Sequence, residues 1–345
     1  MAGSIHLKLA LVAALASKAL ASCAYGTLLR PRAEEGATVE IKDFAYIGTK
    51  GPTNWVALNA EENALCASGK NQSPIDMVAD AFTIIPAAEI GLAIPDMAEG
   101  TEFENLGTTV EVVAGQGNMT FGGVSYTLAQ FHFHLPSEHL DNGTSMAMEM
   151  HMVWEGAAGE IAVIGTFIDI ADSAAAAEGG ETATAAPNAT AVPAATSTPE
   201  ARHVHPENGF VKLLRKKTPK DQEKRQLPAI EGSFFHVNAP AAKAMTASTL
   251  LETVFSSVEE IAEPGTVTKT QPLIMSELVN ALAAGSFQTY DGSLTTPPCS
   301  EGVRWLVSDQ KLSIQTATFV KARSVIGFNS RFPQGTLGET NVLEL

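Results

Sequence analysis

The sequence predicts a mainly β (α+β) chain folded as a single domain, and three observations predict it. Short β-type runs separated by Gly, Pro and Asn fill the stretch from Thr38 to about Asp169. Similar runs return after a low-complexity insert, and no internal repeat is visible. Hydrophobic residues make up 45% of the 345 residues, the content of a globular protein, which excludes disorder of the whole chain. Both strand-rich stretches leave the fold open on their own, so the insert reads as a loop within one domain and not as a linker between two.

Taken in order, the candidate strands of the first stretch are Thr108–Val113, Asn118–Leu128, Gln130–Leu135, Met146–Trp154 and Ile161–Ile168. Composition then changes. Ala171–Pro199 is rich in Ala, Thr, Pro and Glu and holds too few large apolar side chains to offset the entropy of ordering, which predicts a disordered or O-glycosylated segment. Next comes a basic patch, Lys212, Arg215, Lys216, Lys217, Lys220, Lys224 and Arg225. It reads as a solvated loop or as a protease-sensitive site, and no aromatic residues interleave with its charges to suggest nucleic-acid binding. Regular structure resumes at the strand-like Gly232-Ser233-Phe234-Phe235. Leu250, Leu251, Val254, Phe255, Val258 and Ile261 are spaced as one helix over Ser248–Ile261. Gly285–Tyr290, Val303–Val307 and Leu312–Ala317 read as further strands, and Thr318–Val325 as a short helix.

The N-terminus reads as an address. Leu7–Leu20 is apolar but shorter than the roughly 20 residues of a membrane span, and Lys18 interrupts it. With the small-residue pattern Ala19-Leu20-Ala21 it predicts a signal peptide over residues 1–21 and a secreted product, with no transmembrane segment. Leu20-Ala21-Ser22-Cys23 also has the form of a lipid-attachment box. The sequons at Asn118, Asn142 and Asn188 are glycosylation candidates, and that at Asn71 is weakened by Pro74. The expected organisation is then a segment 22–42 and a domain 43–345 carrying an insert at about 171–232. A formal net charge of −16 repels phosphate backbones and argues against a nucleic-acid partner, leaving small-molecule substrates and a homodimer open. Three cysteines in an oxidising compartment leave one thiol over after pairing.

The chemistry sits in two runs. Alternation in Gln130-Phe131-His132-Phe133-His134-Leu135 places Gln130, His132 and His134 on one face of a strand. In Met146–Trp154 the same period separates the methionines and Trp154 from Ala147, Glu149, His151 and Val153. Three neutral imidazoles on adjacent strands can hold Zn²⁺ at three corners of a tetrahedron and leave the fourth for water, the mark of a catalytic site. Gln130 and Glu149 can accept the other ring N–H of ligand histidines, fixing tautomer and orientation. A buried, satisfied pair is the bland reading of a lone His-x-His, and the second strand with its own histidine and carboxylate weakens it. His132-x-His134 followed by Glu138 also resembles a cupin motif, which would imply an iron or manganese oxygenase or isomerase.

Gly51-Pro52 with Trp55, Gln72-Ser73-Pro74-Ile75-Asp76, Gln130 to His134, Ser137-Glu138-His139, Glu149 to His151, Gly292 to Pro298 and Asn329-Ser330-Arg331 occur in one order along the chain. With these motifs the chain, from about Asp43 to Gln334, resembles an α-class carbonic anhydrase of the secreted fungal or microbial type. The resemblance implies a single domain around a large, mostly antiparallel twisted β-sheet with short peripheral helices. It implies reversible hydration of carbon dioxide to bicarbonate by zinc-bound hydroxide, with Zn²⁺ on His132, His134 and His151. Gln130, Glu149 and the backbone of Asn329 would support the ligands. Thr295 would accept the hydroxide proton and donate its own to Glu138, and Thr296 would line the hydrophilic side. Val153, Val163, Leu294, Val303 and Trp305 would form the apolar wall for the substrate, and Tyr46 would join the ordered solvent. Cys66 and Cys299 stand where secreted members form a disulfide, which would leave Cys23 over. A catalytically inactive binding protein on the same fold is the competing reading.

Two departures stand out. Aligning Asn105 to Val110 puts Thr108 where the fastest members carry a proton-shuttling histidine, and a threonine does not titrate near neutral pH. Trp154 replaces a frequent histidine, while His139 matches a residue of structural role.

Overall fold

The computed structural model describes residues 39–171 and 246–344. The expected signal peptide, most of segment 22–42, Cys23, the insert beyond Ala171, the basic patch, Asn188 and the run at Ser233 lie outside the described residues.

The centre of the fold is an antiparallel trio, Val124–His134, Met148–Gly156 and Ile161–Ile170, inside a 12-stranded sheet. Across the sheet the strands run Val267–Lys269, Glu102–Asn105, Val110–Val113, the trio, Glu301–Ser308, Ser286–Ser293 and Thr83–Pro86. Most pairings are antiparallel. Ile161–Ile170 is the exception, running parallel to Glu301–Ser308 and to Leu312–Ile314. Gly91–Ala93 and Asn118–Phe121 extend the sheet beside Val124–His134, and Asp76–Met77 pairs with Leu140–Asp141 in a separate parallel ribbon.

Period-two alternation divides this sheet into two chemistries. Phe131, Phe133, Met148, Met150, Met152 and Trp154 are buried in the main core, beneath the helices Thr249–Phe255, Met275–Ala283 and Thr316–Ile326. Phe133 lies 4.6 Å from Phe255, ring centre to ring centre. The opposite face holds the histidines and a second apolar cluster built from Val153, Val163, Leu294, Val303 and Trp305.

Several element bounds differ from the sequence reading. Asn118–Leu128 is not one strand, because Gly122 and Gly123 both have positive φ, 58° and 80°, and turn the chain between Phe121 and Val124. Such a two-residue turn matches the twist of the flanking strands and is open to glycine. The second arm runs without a break into the histidine strand, and a bulge between Leu128 and Gln130 absorbs Ala129. The expected helix Ser248–Ile261 ends at Phe255, where the Ser256 hydroxyl bonds the Thr253 carbonyl, and Val258–Ile261 continues as a 3₁₀ turn. The strand at Leu312 stops at Ile314 because the next helix begins at Thr316.

Candidate active site

His132 and His151 are direct partners across the two central strands, and His134 is opposite Glu149. Opposed residues share a face, so the three imidazoles converge on one point. One ring nitrogen from each lies within 4.8 Å of the others, and all three side chains are fully buried.

Each imidazole is held by its other nitrogen. His132 Nδ1 is 2.9 Å from Gln130 Oε1, and His134 Nδ1 is 2.8 Å from the Asn329 carbonyl. His151 Nε2 is 3.0 Å from Glu149 Oε1. Because a carbonyl or carboxylate oxygen can only accept, each of these nitrogens carries its proton, and the opposite nitrogen is a lone-pair donor. His132 Nε2, His134 Nε2 and His151 Nδ1 are buried without a hydrogen-bond partner, and His151 Nε2, although 3.0 Å from Glu149 Oε1, has no well-aligned one either. Three convergent, orphaned imidazole lone pairs fit a zinc ion with three protein ligands and an open fourth position. Burial holds all three imidazoles neutral, pushing His134 down to about 3 and His132 well below its ordinary value.

Glu149 does more than the sequence suggested. Besides His151 it accepts from His139 Nδ1 at 2.7 Å and from the backbone N–H groups of Glu138 and His139. Burial raises its pKa, but the two imidazoles and their hydrogen bonds overcome this and hold it well below the carboxylate range. Gly165, opposite His151, makes room for it: a Cβ there would lie 2.9 Å from Glu149 Oε1. His139 Nε2 continues to the Tyr290 hydroxyl at 2.7 Å, and that hydroxyl meets Ser73 Oγ at 2.9 Å. This buried chain ties both nitrogens of His139, and it brings in Tyr290 and Ser73, to which the sequence reading gives no site role.

Glu138 is fully buried beside the imidazoles, Oε2 lying 3.9 Å from His151 Nδ1. Oε1 accepts the backbone N–H of Arg331 at 2.8 Å, and the Thr295 side chain hydrogen-bonds the carboxylate. Burial pushes its pKa well up, against the lowering by those two donors. Thr296 is buried next to Thr295, and its carbonyl accepts from Cys299 N–H. Tyr46 packs edge-on to His134 at 6.4 Å and against Phe44 and Trp55. A cavity of about 610 Å³ is lined by Gln130, Glu111, Ala129 and Glu155, and none of the three imidazoles lines it.

A disulfide joins Cys66 to Cys299. Thr108 is buried, and its carbonyl accepts from Asn329 Nδ2. Asn118 and Asn142 are exposed, although the Asn142 amide is engaged with Ala79 and Asp141. Among the described residues no helix is long and apolar enough to cross a membrane.

The sequence profile of the family described as eukaryotic-type carbonic anhydrase matches residues 50–184 and 200–340. A carbonic anhydrase of Neisseria gonorrhoeae is 27% identical over 303 residues, which cover 87% of each chain. The solved fungal alpha carbonic anhydrase from Aspergillus oryzae is 30% identical with a TM-score of 0.64, covering 87% of this chain and 97% of its own. The alpha-carbonic anhydrase from Thermovibrio ammonificans, solved with the inhibitor sulfanilamide, is 25% identical with a TM-score of 0.58, over 89% and 99% of the two chains.

Proposed function

We propose, from the premise that the chain belongs to the eukaryotic-type carbonic anhydrase family, that this carbonate dehydratase works through a zinc ion held by His132, His134 and His151. The observation that carries the reading is the set of three buried, unpartnered imidazole nitrogens aimed at one point. When bound, zinc supplies a Lewis acid that lowers the pKa of a water to about 7, a figure established for carbonic anhydrases themselves, and so provides a nucleophile at neutral pH.

This chain's own residues then orient the reaction. The Thr295 hydroxyl donates a hydrogen bond to the Glu138 carboxylate, which leaves the hydroxyl's lone pair to accept the O–H of the nucleophile. The nucleophile's own lone pair is thereby turned toward the substrate carbon. A cation among the imidazoles favours the ionised, accepting form of Glu138 against the effect of burial. Val153, Val163, Leu294, Val303 and Trp305 form a dry wall that suits an uncharged linear molecule and favours release of the bicarbonate anion. Thr296 and Tyr46 line the polar side. The described histidines are His132, His134, His139 and His151, and His139 is tied at both nitrogens. Among the described residues, then, no imidazole is spare to carry the proton away, and buffer takes that role.

Secretion of the chain after loss of residues 1–21, as segment 22–42 followed by domain 43–345, fits the buried disulfide. Stopped-flow hydration of carbon dioxide, with and without zinc chelation and with His134→Ala as control, tests the site. Activity is expected to vanish in both treatments and to return to the chelated protein with zinc. Activity that survives both refutes the assigned ligands.

A further inference from the structure

Arg331 is buried to 1% exposure and has a place in the motif Asn329-Ser330-Arg331, yet the mechanism above uses only its backbone. The guanidinium reaches into the stretch before the first ribbon strand. It donates to the Ser73 carbonyl at 2.7 Å, to Gln72 Oε1 at 3.0 Å and to the Cys66 carbonyl at 3.3 Å, and lies 5.6 Å from the ring centre of Trp55. That stretch in turn brackets the loop bearing Thr295. Ser73 and Ser293 exchange two bonds, each backbone N–H donating to the other's hydroxyl at 2.9 and 3.0 Å. Gln72 Nε2 donates to the Cys299 carbonyl at 3.1 Å, and the disulfide joins Cys66 to Cys299.

Thr295 is therefore fixed on both sides by residues that Arg331 holds, while Glu138, its partner, is fixed by the Arg331 backbone N–H. We infer that Arg331 is the positioning residue of the Glu138–Thr295 pair, its main chain setting the carboxylate and its side chain setting the threonine loop. This rests on the role proposed above for Glu138. The fork geometry requires arginine: a planar guanidinium spans several oxygen acceptors at fixed angles and stacks on an aromatic face, whereas an ammonium is a single point of charge. The neighbouring Asn329 makes the same kind of link for a ligand, its carbonyl accepting from His134 and its side chain bonding Leu135 N–H and the Phe133 carbonyl. Asn329 and Arg331 thus index both ligand and orienting carboxylate against one backbone segment.

The test uses the full chain loaded with zinc. Arg331→Met and Arg331→Lys are expected to keep wild-type zinc content and to lower kcat/KM for hydration by about 10- to 100-fold, the scale of a misplacement near 1 Å. In a Glu138→Gln background, Arg331→Met is expected to add less than about threefold, because two residues acting on one interaction are not additive. Hydrogen exchange gives a readout apart from activity: the Arg331 amide is expected to exchange at least about tenfold faster in Arg331→Lys, with sheet amides such as His132 unchanged. If Arg331→Met does not fold, Arg331→Lys and Gln72→Met, which removes one acceptor of the fork, carry the same expectations. Losses that multiply in the double variant overturn the inference, as does kcat/KM within about threefold of wild type at full zinc content. Unchanged exchange at the Arg331 amide also overturns it. Should Glu138→Gln alone leave the rate unchanged, the role given to Glu138 falls instead.

Discussion

Replacing Cys66 and Cys299 together by alanine removes a cross-link between positions 233 residues apart. In the chain-entropy account, closing a loop of that length lowers the entropy of the unfolded chain enough to stabilise the native state by about 5 kcal/mol at 25 °C. Native-state adjustments bring measured values to about 2–5 kcal/mol. Both cysteines are fully buried against Phe44, Tyr46 and Trp55, so alanine leaves a small apolar gap and no unpaired polar atom. In urea unfolding followed by tryptophan fluorescence, the double variant is expected to lose at least about 2 kcal/mol and to show a larger m-value, since its unfolded chain is free to expand. At about 2–4 °C per kcal/mol for a domain of this size, Tm falls by roughly 4–20 °C. Below its own melting range the variant is expected to hydrate carbon dioxide more slowly, because the bridge also anchors the loop of Thr295. A loss under about 1 kcal/mol with an unchanged m-value would refute the reasoning, since the long loop would then contribute nothing to the unfolded state.

Three further outcomes follow from the same geometry. Gln130→Ala removes the acceptor that orients His132 and is expected to weaken zinc about 10- to 100-fold in competition with a chelator, with the fold retained by circular dichroism. Turnover at saturating carbon dioxide is expected to rise with the concentration of imidazole buffer, because Thr108 cannot relay a proton; a rate independent of buffer sinks this. The zinc-free protein is expected to lose stability on acidification. His132, His134 and His151 are held below their ordinary value of 6.5, His134 at about 3, so the unfolded chain binds their protons first and stability rises with pH from about 3 to 6.5. Each buried imidazole accounts for up to about 1.4 kcal/mol per pH unit in that window. Glu138 is raised and acts with the opposite sign above its ordinary value of 4.5, leaving three imidazoles against one carboxyl. Melting temperatures equal at pH 7 and pH 5 would contradict it.

How much of this was legible depends on the range of the interaction. Alternation along Gln130–Leu135 and Met146–Trp154 is local, and it puts the three imidazoles and Gln130 and Glu149 on one face of their strands, because a strand's faces are set by a period of two. The turn at Gly122-Gly123 breaks the expected strand Asn118–Leu128, and besides the paired glycines a one-residue shift in the apolar phase, from Met119 and Phe121 to Val124, Tyr126 and Leu128, marks the reversal. The helix Met275–Ala283 went unnoticed although Met275, Leu278 and Leu282 carry its buried face, since the run is short and begins without a side-chain cap. Two links lay beyond any local pattern. The sequence marks Glu149 as an acceptor for a ligand histidine, yet its bonds to His139 and two backbone amides depend on how the loop after His134 folds back. Arg331 meets Glu138, Ser73 and Cys66 across 193, 258 and 265 residues. A strand can announce which side chains face a site, but the distance from Glu138 to Thr295 is set by where three remote segments meet, and no period in the sequence encodes that meeting.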